Sequence, residues 1–333
     1  MNAEITKRIV RAIAEGSQLD LDKLALKVVE AERKSGHHLL AKQLESILVQ
    51  AKEKQSRGRT RKPDRLESLR SLPQSKRFGD QLATLIPRDE LEHHMVLPPE
   101  TEARFARIES EYAARERLGA YGLKARKTIL LYGAPGCGKS LGANRIAWNT
   151  GLPLMKVRID ALISSYFGES ASNLRSVFDA SQDRPCVLLL DECDFIARSR
   201  SNSKDIGEAS RIVNSLLQLM EDYNAPGILV ATTNVESSLD EALFRRFDDA
   251  FQVPLPGSIE IEKLLKTTLS AVTTDSSINW HDIISKLAGN SAAMVVKTAR
   301  DAAKSVVLTG QKIVTEKHLQ SAILENSKLE PRK

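Results

Sequence analysis

A glycine-rich loop near the middle of the chain carries the first chemical signal. It matches the spacing G-x-x-x-x-G-K-[ST] at every fixed position and reads Gly133-Ala134-Pro135-Gly136-Cys137-Gly138-Lys139-Ser140. Glycines allow backbone N–H groups to turn inward around phosphate oxygens, and the following helix presents its positive end to the same anion. Lys139 can then reach the β- and γ-phosphates of a nucleotide, and the Ser140 hydroxyl can ligate Mg²⁺. The loop therefore predicts a nucleotide phosphate site, for which an incidental glycine turn is the alternative.

Cys137 occupies a variable position of this loop, so we expect it to contribute only its backbone. A second interpretation is a redox switch, because thiols near helix N-termini can be acidic.

Two adjacent carboxylates follow an apolar run further along the chain. Asp191 and Glu192 come directly after Val187-Leu188-Leu189-Leu190. Asp191 is placed to hold the Mg²⁺ shell, and Glu192 could orient and deprotonate an attacking water. The pair could instead be solvated loop residues, but the complete phosphate loop upstream favours the catalytic interpretation. A hydrolase needs a general base and a nucleotide-binding scaffold does not, so Glu192 favours turnover over simple binding.

Two weaker signals lie beyond the carboxylates. Asn234 ends an apolar run, where its amide could hydrogen-bond the lytic water or the γ-phosphate, although Thr-Asn at a strand end is also ordinary turn chemistry. Eleven residues later, Arg245 and Arg246 stand beside aromatic residues. Taken alone, the two arginines fit a surface ion-pair cluster as well as a catalytic role.

The elements that must position these residues alternate between apolar runs and helical stretches. Nearly continuous apolar segments are typical of strands buried on both faces of a parallel sheet. The predicted strands are 128–133, 154–159, 186–191 and 228–233, and the predicted helices between them are 140–149, 169–181 and 206–222. This alternation predicts an α/β domain with helices on both faces of a parallel sheet, whose ligands bind beyond the carboxyl ends of the strands. From about residue 257 onward the pattern predicts a small all-helical domain.

Six segments in order resemble the AAA+ ATPases, and within them the AAA branch that includes katanin, spastin and the proteasomal and membrane-protease unfoldases. The resemblance covers roughly residues 100–326. Its segments are GAPGCGKS (133–140), YFGESASNLRSVF (166–178), VLLLDECDFIA (187–197), TTN (232–234), LDEALFRRFD (239–248) and GNSAAMVVKTARDAA (289–303). The resemblance implies a P-loop NTPase fold with a helical lid, ATP and Mg²⁺ as cofactors, and hydrolysis of ATP to ADP and phosphate.

The resemblance also implies roles for single residues. Asn234 takes the place of the sensor that reads the γ-phosphate, and Arg245 and Arg246 match arginine fingers that act on nucleotide bound to a neighbouring subunit. A ring of identical subunits, usually a hexamer, follows from this. Gly289 and the Ala292-Ala293 pair resemble the lid stretch near the adenine, although the family usually has a glycine where Ala292 stands.

A further implied feature is the first pore loop, Tyr166-Phe167-Gly168, whose aromatic side chains would grip an extended polypeptide in the central channel. The other interpretation is that Tyr166 and Phe167 are core residues. Residues 199–208 would form a second pore loop.

The excess of basic over acidic residues lies near the N-terminal end of the chain. Residues 1–90 carry 19 basic and 13 acidic side chains, whereas residues 91–333 carry 30 of each, and the excess is concentrated in 51–77. We expect a helical module for substrate or adaptor docking (1–55), a basic linker (56–98), the ATPase domain (99–256) and the helical lid domain (257–333).

Three cysteines without paired spacing, a charged N-terminus and no long apolar run predict a cytoplasmic protein without a membrane span.

Two functions of different classes fit these features. The first is ATP-driven remodelling, unfolding or threading of a protein through a ring, with a separately encoded protease or effector as one conceivable recipient, since the sequence contains no H-E-x-x-H motif of its own. The second is a nucleic-acid-associated ATPase, a loader or transposition accessory, that uses the basic linker for phosphate contacts.

Overall fold

The computed structural model divides the chain into two units, Met1–Arg70 and Ser71–Lys333. The residues described here all belong to the second unit: 72–75, 79–164, 170–193, 206–234 and 244–327, without the side chains of 163–164 and 206–213. The expected N-terminal module and most of the basic stretch 51–77 therefore lie outside the described residues. So do both expected pore loops, except for the helical backbone of 206–208. Within the described residues, no helix is both long and apolar enough to cross a membrane.

A six-stranded sheet forms the centre of this unit, in the order β1-β3-β4-β5-β2-β6. Five of the strands run parallel, and β1 pairs antiparallel with β3. The strands are β1 (Ala83–Ile86), β2 (Thr128–Tyr132), β3 (Leu154–Val157), β4 (Val187–Leu190), β5 (Ile228–Thr233) and β6 (Asp249–Gln252). Since β5 lies between β2 and β4, the loop after β2 and the carboxylates after β4 flank the end of β5.

Helices cover both faces of the sheet. Those of the α/β part are α1 (Pro99–Ala113), α2 (Arg115–Ala120), α3 (Lys139–Thr150), α4 (Ile159–Ser164), α5 (Ser170–Asp183) and α6 (Ile206–Glu221). One core contains Phe178 of α5 and Leu216 of α6, and the other contains Phe105 of α1 and Ile146 of α3. The predicted fold class, a parallel sheet with helices on both faces, is confirmed.

After residue 257 the chain forms a third core made of helices. These are α7 (Ser258–Thr268), α8 (Trp280–Leu287), α9 (Ala292–Leu308) and α10 (Glu316–Ser327). The region is not entirely helical, because two-residue strands β7 (Thr273–Thr274) and β8 (Ile313–Val314) pair in parallel. Such short strands leave no apolar alternation in the sequence by which they could be predicted.

One stretch of the expected linker belongs to the sheet. Ala83–Ile86 pairs with β3, and Leu82 and Ala83 are fully buried. The expectation of a linker running to residue 98 is therefore wrong for this stretch. An edge strand of four residues gives too short a pattern to distinguish from a connecting segment.

Gly227 permits a close approach of two backbone segments just before β5. A Cβ built at this position would lie 1.9 Å from the Cys186 carbonyl oxygen. We expect Gly227→Ala to reduce the free energy of unfolding, measured by urea denaturation, by about 1–3 kcal/mol, the usual cost of overpacking a core. Gly119→Ala is the matched control, because Gly119 lies in α2 with open space around its Cβ position and should be neutral or slightly stabilised. Equal stability of the two variants would contradict the packing argument.

Candidate active site

The glycine-rich loop joins β2 to the first residue of α3. Three of its glycines have left-handed backbone angles, with φ of 141° at Gly133, 74° at Gly136 and 99° at Gly138. The buried Lys139 side chain turns back into the loop, where its Nζ donates hydrogen bonds to the carbonyl oxygens of Gly133 (2.8 Å) and Ala134 (2.9 Å). This geometry holds a positive charge within the loop beside the N-terminus of a 12-residue helix, as a phosphate site requires.

The Cys137 thiol is poorly suited to a redox role. Its side chain is 4% exposed, and burial raises the pKa of the thiol above its ordinary value, an effect that the charge of Lys139 only partly opposes. A raised pKa lowers the thiolate fraction, and the thiolate is the reactive form. The structure therefore favours the expectation that Cys137 contributes its backbone.

Asp191 joins the phosphate loop to two neighbouring strands. Its Oδ1 accepts hydrogen bonds from Ser140 Oγ and from Thr232 Oγ1, each 2.7 Å long. Its Oδ2 lies 2.6 Å from the Nζ of Lys156, on β3. Sequence reasoning missed Thr232 and Lys156 as members of the site. The strand register could have found Thr232, because Leu190 pairs with Ala231 and the next residues along are Asp191 and Thr232.

The environment of Asp191 keeps its carboxyl ionised. Burial by itself raises the pKa, but the hydrogen bonds from Lys156, Ser140 and Thr232 outweigh it, so the pKa lies below its ordinary value. The Ser140 hydroxyl and an ionised carboxylate 2.7 Å away form the hard-oxygen donor set that Mg²⁺ prefers. The residues present therefore fit the expected metal ion.

Glu192 has an unusual backbone conformation. Its φ of 56° is left-handed, the only such value among the described residues other than glycine. Two hydrogen bonds to Thr232 accompany it, from the Glu192 N–H to Oγ1 (2.9 Å) and from the Cys193 N–H to the carbonyl oxygen (2.7 Å). Strained backbone of this kind costs about 1–3 kcal/mol and persists where surrounding contacts fix it. These contacts leave the Glu192 side chain exposed at the end of β4.

Asn234 directly follows β5, the strand between the phosphate-loop strand and the carboxylate strand. Its side chain is half-buried. Because the carboxyl ends of parallel strands meet at one edge of the sheet, Lys139, Asp191, Glu192 and Asn234 follow strands that end at the same edge.

The lid region touches the phosphate loop at Gly136. The Ala293 N–H donates to the Gly136 carbonyl oxygen (3.0 Å), and a Cβ at Gly136 would lie 2.8 Å from Ser291 Oγ. Ser291 also caps α9, accepting a hydrogen bond from the Met294 N–H (3.3 Å). The lid contact at Gly136 therefore involves Ala293, one of the lid residues expected from the resemblance, and Ser291, which was not predicted from the sequence.

Of those expected residues, Gly289 is exposed with φ of 81°, and the half-buried Ala292 is the first residue of α9.

The two arginines lie at the amino ends of the parallel strands, opposite the carboxyl ends at which the phosphate loop lies. The Arg246 carbonyl oxygen accepts a hydrogen bond from Thr128, the first residue of β2, whereas the phosphate loop follows the last. The five residues of β2 therefore place the Arg246 backbone about 16 Å from the start of the phosphate loop. Arg246 Nε forms an ion pair with Glu221 (2.8 Å). The exposed Arg245 lines an open cavity of about 650 Å³ together with Arg246 and Glu221. The arginines are therefore not brought together with the chain's own phosphate loop.

The amino-acid sequence is similar to that of one family of ATPases. The model of the ATPase family associated with various cellular activities (AAA) matches residues 129–255. An uncharacterized AAA family ATPase, y4kL of Sinorhizobium fredii, is 31% identical over 331 residues, which cover 98% of this chain and 95% of the relative. The chain belongs to the AAA family of ATPases. It is accordingly a nucleotide-binding enzyme that hydrolyses ATP.

Other relatives match the ATPase part over shorter stretches. The ATP-dependent zinc metalloprotease FtsH of Mesoplasma florum is 31% identical over 207 residues, which cover 61% of this AAA ATPase and 32% of the relative. The outer mitochondrial transmembrane helix translocase of Danio rerio is 32% identical over 187 residues, 54% of the chain and 49% of the relative. The matched regions span only about a third and about half of these two proteins.

Proposed function

We propose that this AAA ATPase remodels or unfolds a polypeptide by drawing it through the pore of a ring of identical subunits, a hexamer. The observation that carries the proposal is the separation of Arg245 and Arg246 from the chain's own phosphate loop. Arginines that assist hydrolysis must reach the phosphates, so these would serve the nucleotide of a neighbouring subunit. A ring supplies every site with such a neighbour, because head-to-tail contacts close on themselves.

The chemical roles follow from the positions of the side chains. The loop N–H groups and Lys139 would bind the phosphates of ATP, and Ser140 and Asp191 would hold Mg²⁺, which neutralises phosphate charge when bound. Glu192, exposed at the strand end, would take the proton of the attacking water, while Asn234 would orient that water or the γ-phosphate. Arg245 and Arg246 would stabilise the charge that develops on a neighbour's γ-phosphate.

A protein substrate is supported by the names of two relatives, a metalloprotease and a helix translocase, both of which act on polypeptides. Tyr166, Phe167 and Gly168 would form the gripping loop. The docking module (1–55), with the part of the expected basic linker that precedes β1, would recruit the substrate or an adaptor. A separately encoded protease or effector could receive the polypeptide. The cytoplasmic location is part of the same proposal. The nucleic-acid hypothesis rests on residues 51–77, most of which lie outside the described residues.

A polypeptide-stimulation assay tests this function. Casein, which lacks stable tertiary structure, should raise the ATPase rate, and Tyr166→Ala should bring the ratio of stimulated to unstimulated rate close to one, because the aromatic grip is lost. The matched control is Tyr121→Ala, which removes an aromatic side chain that is 80% exposed ahead of β2. A Tyr166→Ala variant that keeps the full ratio would contradict threading by this loop. Stimulation by DNA at low salt instead of casein would favour the nucleic-acid hypothesis.

A further inference from the structure

Lys156 brings a positive charge to the active site that the mechanism above does not use. Its Nζ lies 2.6 Å from Asp191 Oδ2. The other carboxylate oxygen, Oδ1, already accepts hydrogen bonds from Ser140 and Thr232. Both oxygens of the carboxylate expected to hold the metal are therefore engaged, and one of them is engaged by a cation.

The sheet explains why Lys156 reaches this point. Lys156 lies on β3 next to Leu189 of β4. Side chains alternate along a strand, so Lys156 is on the same face as Leu154, which packs in the core with Leu189 and with the α3 residues. Helix α3 begins at Lys139, and its second residue is Ser140. Lys156 thus extends from the α3-covered face towards the end of β4, where Asp191 stands.

The exposure of the pair limits what it contributes to folding. The Lys156 side chain is 45% exposed and that of Asp191 is 12% exposed. Ion pairs with a solvent-accessible partner contribute little to stability. The main consequence of Lys156 is therefore local, because it reduces the negative charge that Asp191 presents to another cation.

We propose that Lys156 is a positioning residue that sets the divalent-metal affinity of the site through Asp191. Its ammonium group offsets the carboxylate charge and repels a second cation, so a divalent ion binds well only when nucleotide phosphates add their own negative charge. The site would then discriminate against metal without nucleotide. This inference rests on the proposed function, in which Ser140 and Asp191 hold the metal.

Direct binding of Mn²⁺ to the nucleotide-free, full-length protein tests the inference, with free Mn²⁺ measured by electron paramagnetic resonance. Lys156→Gln removes the charge but keeps a hydrogen-bond donor. It should tighten Mn²⁺ binding about tenfold, the order expected when one unit charge beside a divalent ion is removed in largely aqueous surroundings. Lys156→Arg retains the charge and should bind Mn²⁺ as the unmodified protein does.

A lysine in an ion pair of equal length provides the matched control. Lys286 on α8 lies 2.6 Å from Asp282, and Lys286→Gln should leave Mn²⁺ affinity unchanged. Thermal unfolding of each variant verifies that it is folded. Unchanged or weaker Mn²⁺ binding by Lys156→Gln, or tighter binding by Lys156→Arg as well, would overturn the role of the lysine charge.

Asp191→Asn separates this failure from a failure of the metal assignment. If Asp191→Asn weakens Mn²⁺ binding while Lys156→Gln does not strengthen it, the metal site stands and the inference about Lys156 is wrong. If Asp191→Asn leaves Mn²⁺ binding unchanged, the assignment of the metal to Asp191 fails, and the inference fails with it.

Discussion

Replacing Glu192 with glutamine is expected to reduce the turnover number for ATP hydrolysis by about a hundred- to ten-thousandfold, the usual contribution of a positioned general base. An amide has nearly the shape of a carboxylate but cannot accept the proton of the attacking water. The backbone contacts of Glu192 with Thr232 do not involve its side chain, which is exposed. The substitution should therefore leave the local structure and the affinity for ATP intact.

Steady-state hydrolysis and binding of a fluorescent ATP analogue measure the two properties separately. Glu262→Gln, which neutralises an exposed glutamate paired with Lys266 on α7, controls for the loss of one negative charge. A turnover number for Glu192→Gln within about tenfold of the unmodified value would remove Glu192 from the role of base. Loss of ATP binding instead of turnover would point to a role in holding the nucleotide.

Substituting Arg245 or Arg246 with alanine should lower the turnover number by up to about 10³–10⁵-fold, the range for a guanidinium that stabilises the transferring phosphoryl group. The alternative is that the arginines form a surface ion-pair cluster, which the Arg246–Glu221 contact by itself would also fit. The alternative predicts a change in stability of about 0–1 kcal/mol and little change in turnover.

Two controls separate these interpretations. Glu221→Gln breaks the ion pair while retaining both arginines, so it should preserve most of the activity if the arginines are catalytic. Arg300→Ala removes an exposed arginine from α9 and should leave hydrolysis unchanged. Arginine variants that hydrolyse ATP as fast as Glu221→Gln would support the ion-pair cluster.

The central part of the fold was accessible from the sequence because its strands are apolar on both faces. The residues that form β2, β4 and β5 are almost entirely buried, so the apolar runs in the sequence coincide with the buried strands of the structure. The edge strands behave differently. Ala83–Ile86 and Asp249–Gln252 each have four residues with mixed burial, and their pairing depends on the partner strand more than on their own composition.

The candidate site was predictable where chemistry is tied to spacing along the chain. The phosphate loop and the Asp191-Glu192 pair are contiguous motifs, whereas Lys156 and Thr232 join the site only through strand register. The left-handed backbone of Glu192 has no signal in the sequence, because a residue other than glycine adopts it only when tertiary contacts fix it. The lid contact at Gly136 likewise depends on how α9 meets the loop, which no local pattern encodes.

The proposed ring requires that the arginines of a neighbouring subunit complete each hydrolytic site. Two inactive variants separate the contributions of the two subunits. Lys139→Ala should lose phosphate binding but retain the arginines, and Arg245→Ala/Arg246→Ala should retain the phosphate loop but lack the arginines. Neither variant alone should hydrolyse ATP.

An equimolar mixture of these two variants, with differently tagged subunits shown to co-purify, tests the claim most directly. If subunits assemble at random, about a quarter of the subunit interfaces combine an intact phosphate loop with an intact pair of arginines. The ATPase rate of the mixture should therefore recover to a substantial fraction of that of the unmodified protein. A co-assembled mixture that hydrolyses ATP no faster than its two components measured separately would contradict the claim.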